Sequence, residues 1–205
     1  MLDIVAAPQR NGAIFDILWP GQGQTAAARL ARGTALAFVG ALALTLSAKA
    51  QVPLFIPITL QSLVVLLLGG LFGARLGLAS VMLYLGEGAA NLPVFAGTPE
   101  KGIGLAYMMG PTGGYLVGFA MAVLLIGYAA DHGLDGSLWR RLLVMSLGHA
   151  VIFAFGYAWL VHFVGYDKAW IFGVAPFYAA TVIKTLLAAL LATGLWRGAA
   201  LLRGL

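Results

Sequence analysis

Six apolar runs, at residues 27–48, 58–72, 76–90, 114–130, 142–164 and 172–196, are divided by short polar or glycine-rich connections. A helix needs about 20 predominantly apolar residues to cross the hydrocarbon core of a bilayer, and most of these runs approach that length. Charged residues are 9% and hydrophobic residues 61% of the 205, with a mean hydropathy of +0.95. Soluble domains carry about a quarter charged residues. The chain therefore reads as an integral membrane protein. No ten-residue alternating pattern supports a barrel, while the many glycines and small residues suit spanning helices. The expectation is an all-α membrane protein of six transmembrane helices, the second and third short.

Charges sort between the runs. If six helices alternate, Arg10, Arg29, Arg32, Arg75, Arg140, Arg141, Arg197 and Arg203 share one side, and Lys49, Lys101 and Lys168 the other. The positive-inside rule then puts both termini in the cytoplasm. The net charge of +5 is accounted for by orientation and attraction to anionic inner-leaflet lipid, so no nucleic-acid partner is called for. The first two dozen residues lack the apolar core and small-residue cleavage site of a signal peptide. Residues 1–25 are expected as a lightly ordered cytoplasmic tail, 26–197 as one membrane domain and 198–205 as a second tail. DHGLDGS at 131–137 and the stretch 166–168 read as connections. The absence of cysteine removes disulfides, thiolate metal sites and thiol nucleophiles.

Residues 91–115, NLPVFAGTPEKGIGLAYMMGPTGGY, are too irregular to face lipid and too apolar for an ordinary loop. Backbone without helical pairing survives near a bilayer when buried in protein or lining a cavity, which makes this outward segment a candidate binding site. Asn91 offers a donor and an acceptor suited to a urea- or amide-like ligand, or caps the broken helix. Glu87, four residues earlier, accepts hydrogen bonds from a ligand, the loop or a lysine, or is solvated at the interface. Lys101, in TPEKG, is either a solvated loop tip or a lid residue that meets an anionic ligand. Pro111 and the glycines of GPTGGY suit an entry turn into the fourth helix, with Tyr115 at the mouth of a pocket. Val94, Phe95, Met108, Met109 and Tyr115 supply candidate apolar walls.

Lys184 sits inside the last apolar run, where a charge costs about 2.5–3.5 kcal/mol on insertion scales. Counted from a helix beginning at Ile171 it lies roughly 20 Å in, too deep to snorkel easily, which favours a ligand or ion-pair role. Thr181, one turn earlier, shares its face and presents a hydroxyl to the same cavity or bonds its own backbone. His132, His149 and His162 are scattered without metal-ligand spacing, so no metal is expected, and neither GxxxxGK[ST] nor GxSxG is present. Ala27, Ala31 and Ala35 recur every four residues at the cytoplasmic end of the first helix, a smooth strip suited to internal packing or to a partner helix.

QVPLFIPITLQSL at 51–63, LPVFAG at 92–97, GPTGGYLVGF at 110–119 and PFYAATVIK at 176–184 together resemble the BioY family, the biotin-specific S components of energy-coupling-factor transporters. The resemblance runs from about Arg32 to Ala192. It implies a six-helix S-component fold in a bacterial plasma (inner) membrane that captures biotin from outside and is toppled by partners. Those partners are a transmembrane T component and two cytosolic ATPase subunits, with the Ala27, Ala31 and Ala35 strip as contact surface; some family members are reported to work without them. Biotin is cargo, and no cofactor is implied. The family's sixth-helix lysine belongs to the ligand pocket, and Lys184 matches it. Where members commonly carry an aspartate three residues before that lysine, this chain has Thr181. Either Glu87 takes over that carboxylate's role or the polar end of the ligand is held differently. The expected roles are Asn91 at the urea or carboxylate end, Lys184 on a ligand oxygen and Lys101 at the entry.

Three rivals stand beside this expectation: the same fold with another vitamin, a membrane-embedded enzyme acting on lipid through Glu87, His149 or Lys184, and a purely structural subunit.

Overall fold

The computed structural model describes Ile14 and residues 25–52 and 58–202. Helix α1 spans Ala26–Lys49, opened by Thr25, whose hydroxyl accepts from Ala28 N at 3.2 Å. A short antiparallel ladder, β1 (Gln51–Val52) against β2 (Ile58–Thr59), pairs Gln51 with Thr59 and leads into α2 (Gln61–Ala89). The irregular segment follows, containing α3 (Gly104–Met108). Then come α4 (Gly113–Asp131), α5 (Leu138–Val164), α6 (Tyr166–Gly173), a 3₁₀ turn (Ala175–Phe177) and α7 (Tyr178–Leu202). Among the described residues, five helical stretches, with Tyr166–Leu202 taken as one, are long and apolar enough to cross a membrane. The protein is a multi-pass helical membrane protein.

The count of five conceals a fold-back. Gly73 has φ 75° and ψ −179°, inside α2. Gln61 and Tyr84, 23 positions apart, would be about 34 Å apart on a straight helix, yet Gln61 Nε2 donates to Tyr84 Oη at 2.8 Å. Helix α2 is thus two antiparallel arms, 61–72 and 74–89, matching the two short runs seen in the sequence. At the bend a side chain is excluded twice: the positive φ favours glycine, and a Cβ would strike the Asp131 carboxylate. Asp131 Oδ2 accepts from Ala74 N at 3.0 Å, capping the start of the second arm from the end of α4.

Long-range hydrogen bonds define the two ends of the bundle. Trp196 Nε1 donates to Gly70 O at 3.2 Å, and Arg141 bridges Asp135 and Thr193, so 70–75, 131–141 and 193–197 share one end with Arg75, Arg140 and Arg197. Lys49 reaches Phe95 and Thr98, Trp159 reaches Gly110, and Tyr115 reaches Gly173, so the irregular segment, α6 and the lysines share the other. The arms of α2, α4 and α5 supply most of the buried apolar side chains, including Val65, Tyr84, Phe119, Val123 and Ile152. Gly118 is one reason α4 and α5 lie close: a Cβ there would sit 2.9 Å from Ile152 Cα.

Several sequence expectations change. The all-helical class holds, with the two-residue β1–β2 ladder as a local addition. The 166–168 turn is the first part of helix α6, and α7 begins at Tyr178 and continues to Leu202, past the boundary drawn at 197. Residues 53–57 of the QVPLFIPITLQSL motif, nearly all of the N-terminal tail, and Arg10 and Arg203 lie outside the described residues; Ile14 is buried beside Trp196 and Ala199.

Candidate functional site

The lysine end of the bundle holds a half-open cavity of about 460 Å³, within the roughly 300–1,000 Å³ range of small-molecule sites. Its body is apolar and aromatic, with Leu116 and Phe119 from α4, Ile152 and Phe153 from α5, and Phe177 from the 3₁₀ turn. Polar atoms come from three directions. Thr59, Gln61 and Ser62 enter from the ladder and the start of α2, His149 from α5, and Thr181 and Lys184 from α7. Lys101, Gly110, Pro111 and Thr112 of the irregular segment also line it.

Each wall is held by a specific contact. Tyr115 Oη donates to Gly173 O at 2.8 Å, joining α4 to the end of α6, and its ring lies where any side chain on residue 156 would sit. Trp159 Nε1 donates to Gly110 O at 2.9 Å and pins the GPTGG turn to α5. Gln61 is oriented at both ends, since Thr59 Oγ1 donates to Oε1 at 3.1 Å while Nε2 donates to Tyr84. In the irregular segment, Phe95 stacks on Tyr107 at 4.9 Å and meets Tyr84 edge-on at 5.3 Å. Tyr107 donates to Ala96 O at 2.8 Å; burial pushes its phenol above the usual range, so it remains a donor.

Lys184 is 9% exposed, and Nζ lies 3.3 Å from Ser62 Oγ. It is six residues into α7, roughly 9 Å along the axis, not the 20 Å counted from Ile171, because α6 and the 3₁₀ turn intervene. What isolates it from water is enclosure by protein rather than depth along one helix. No Asp or Glu lines the cavity among the described residues. The site therefore offers cationic and neutral donors around an apolar body, which suits an elongated ligand with acceptor oxygens and fits a cation poorly. No cluster of three metal-ligating side chains occurs among the described residues.

Four of the expected site residues converge here: Lys184, Thr181, Tyr115 and Lys101. Asn91 and Glu87 do not line the cavity. Asn91 has φ 68° and stands just past the end of α2, where Asn91 N donates to Gly88 O at 3.1 Å and Leu92 N to Glu87 O at 3.1 Å. That pair of bonds is a Schellman cap, in which asparagine takes the left-handed position usual for glycine. Of the expected apolar walls only Tyr115 lines the cavity; Val94 and Phe95 are buried in the core and Met109 is 64% exposed. Gln61 and Ser62 were not singled out as site residues by sequence, and His149 was named only for the lipid-enzyme rival. His149 carried the same signal as Lys184, an ionisable side chain inside a spanning run. The Ala27, Ala31 and Ala35 strip is exposed, while α1 packs inward through Ala37, Gly40, Ala41 and Leu44.

A multi-pass helical bundle with a half-open, aromatic-walled and lysine-bearing cavity at one end defines a membrane-embedded small-molecule-binding protein. The BioY family model matches residues 22–200, and the chain belongs to the BioY family. A probable biotin transporter BioY of Pyrococcus horikoshii is 38% identical over 137 residues, covering 67% of this chain and 78% of that one. A biotin transporter BioY of Rhizobium etli is 37% identical over 156 residues, covering 72% and 81%. The fold is that of a crystal structure of the S-component for biotin from an ECF-type ABC transporter, with a TM-score of 0.73 at 22% identity, covering 85% of this chain and 95% of that one.

Proposed function

We propose that this chain captures biotin at the outer face of a cell membrane, as the substrate-binding S component of an energy-coupling-factor transporter. The observation that carries the proposal is the half-open cavity in which Lys184 is buried without a carboxylate neighbour among the lining residues. A lysine so placed is stabilised when a ligand brings oxygen acceptors to it. Biotin brings such oxygens on a ureido ring and a carboxylate, joined by an apolar body that the aromatic walls can bury. The names of the relatives point to the same ligand. They are transporters rather than enzymes, which weighs against lipid chemistry.

In this reading Lys184, Thr181 and Tyr115 surround the ligand, Lys101 guards the entry, and Asn91 and Glu87 act through the cap that fixes the irregular segment. Both termini are cytoplasmic, because the arginine-bearing end of the bundle is the one the positive-inside rule assigns to the cytosol. The T component docks on the exposed Ala27, Ala31 and Ala35 strip, and two cytosolic ATPase subunits supply energy. Equilibrium binding of biotin, riboflavin and thiamine to the purified full-length chain tests the ligand. Selective one-to-one binding of biotin is expected; selective binding of another vitamin, or of none, would sink the proposal.

A further inference from the structure

At the end of α5, Gly165 turns the chain into α6 with φ 80°, a left-handed conformation that glycine adopts without a Cβ penalty. The eight residues of α6 bury Ala169 and Gly173, one turn apart, against the bundle. Tyr166, Asp167, Trp170 and Ile171 are left on the outward side, where they meet Tyr157 of α5 around a second, open hollow. The rings of Tyr157 and Trp170 stand at 88° with centroids 6.2 Å apart, so that one cation can lie within about 6 Å of both. Tyr166 adds a third ring and Asp167 a carboxylate. Asp167 makes no ion pair among the described residues, and no Lys or Arg lines the hollow. An acid in the first turn of a helix complements its dipole, and tyrosine and tryptophan are common at membrane interfaces. Neither accounts for their convergence with a ring from another helix. Three rings around one carboxylate suit an organic ammonium group.

The surroundings of the hollow show what carries that ammonium group. Trp170 meets the ring of Tyr178 on α7 at 6.0 Å, and from Tyr178 the exposed side chains of Val182 and Leu186 continue along α7 at four-residue spacing. This apolar row runs about 12 Å into a membrane-spanning helix. A phospholipid can lay an acyl chain along the row while its head sits among the rings; a soluble ammonium compound gains nothing from it. We propose that Tyr157, Tyr166, Trp170 and Asp167 form a site for the choline headgroup of a phospholipid, outside the cavity that holds Lys184. Choline is favoured over ethanolamine because a quaternary ammonium spreads its charge over methyl groups that pack on ring faces and need no acceptors. A primary ammonium has three N–H donors to satisfy, and the hollow offers one carboxylate. This site does not depend on which ligand the cavity takes.

The test is native mass spectrometry of the purified full-length chain in a maltoside detergent, titrated with phosphatidylcholine, phosphatidylethanolamine and phosphatidylglycerol bearing identical acyl chains. Phosphatidylcholine should be retained one to one, with about fivefold or greater preference over the other two. Equal retention of all three would mean an ordinary interfacial belt and overturns the site. Trp170→Leu should abolish the preference, while Tyr157→Phe, which keeps the ring face, should preserve it. Asp167→Asn changes an exposed side chain outside the core and should weaken the preference without moving the thermal unfolding midpoint, so the test stands even if Trp170→Leu fails to fold. Undiminished preference in folded Asp167→Asn overturns the assignment. Phosphocholine, which lacks acyl chains, should displace the lipid only at much higher concentration. Displacement at equal concentration would make the occupant a soluble quaternary ammonium compound and overturns the lipid proposal.

Discussion

Lys49 Nζ donates to Thr98 O at 2.8 Å and to Thr98 Oγ1 at 2.9 Å, with a third bond to Phe95 O at 3.0 Å. The last residue of α1 therefore clamps the irregular segment that contributes Ala96, Tyr107 and Lys101 to the cavity. Hydrogen bonds from a charged donor are worth about 1.5–3 kcal/mol each before the cost of leaving acceptors unpaired. Lys49→Met should release the segment without touching ligand. Amide hydrogen exchange over 95–101 should rise and biotin should dissociate faster, by about tenfold, if roughly one such bond's worth of order is lost. Unchanged exchange over these residues would show that the clamp is redundant.

At the opposite end, Asp135 and Arg141 are 1% and 4% exposed and pair at 3.1 Å. Arg141 also donates to Asp135 O at 3.1 Å and to the Thr193 hydroxyl, tying the α4–α5 turn to α7. Removing one partner of a buried pair leaves an uncompensated charge, at a cost of about 3–5 kcal/mol. Asp135→Ala should lower the thermal unfolding midpoint markedly in detergent. Adding Arg141→Met should restore much of it, because the orphan charge is gone. Biotin affinity of the folded fraction should stay within about twofold of the original, the pair being remote from the cavity.

The ligand role of Lys184 is separable from its fold role. Lys184→Met keeps the stem that packs within the bundle and deletes the donors, so the fold should persist or gain stability while biotin affinity falls about 10- to 150-fold. Ser62→Ala removes a 3.3 Å contact to the lysine and one neutral hydroxyl of the lining, and should lower affinity by less than the loss of the charged donor. Isothermal titration of both variants, with thermal unfolding as the folding control, distinguishes a ligand contact from a packing residue. Equal losses in the two would mean that the lysine acts only through Ser62.

Much of this architecture was legible because the bilayer leaves few choices. The apolar runs gave the spanning segments, and the two short runs appear as the arms of α2, separated at Gly73, where only a backbone free to take φ 75° can turn the chain. The sorting of arginines and lysines to opposite ends also reads directly from the alternation of runs. Other features depend on contacts between distant segments. Asn91 had the chemistry of a ligand contact, and only its pairings with Gly88 and the adjoining turn identify it as a cap. Glu87 likewise stands outside the cavity lining because of where α2 ends rather than because of its residue type. The polar partners Gln61 and Ser62 stand at the entrance of a spanning run, where hydroxyls and amides are ordinary, so nothing local marked them. His149 needed the neighbouring helix: its hydrogen bond to the Thr185 hydroxyl comes from α7, and nothing near it in the sequence announces that contact.

The outward strip on α1 gives the most direct test of a partner. Ala27, Ala31 and Ala35 are exposed on a helix whose other face, through Ala37, Gly40, Ala41 and Leu44, is buried. Small residues at four-residue spacing permit close helix approach only while they remain small. Ala31→Trp should therefore leave biotin affinity and thermal stability of the isolated chain unchanged, since residue 31 contacts neither cavity nor core. In cells that supply the T component and ATPases, the same change should abolish their co-purification with the chain and lower biotin uptake. Because the variant still binds biotin, lost uptake would locate the defect in assembly rather than capture. Full co-purification and uptake with tryptophan at position 31 would exclude the strip as the docking surface and direct attention to the exposed residues Leu42 and Leu46 further along α1.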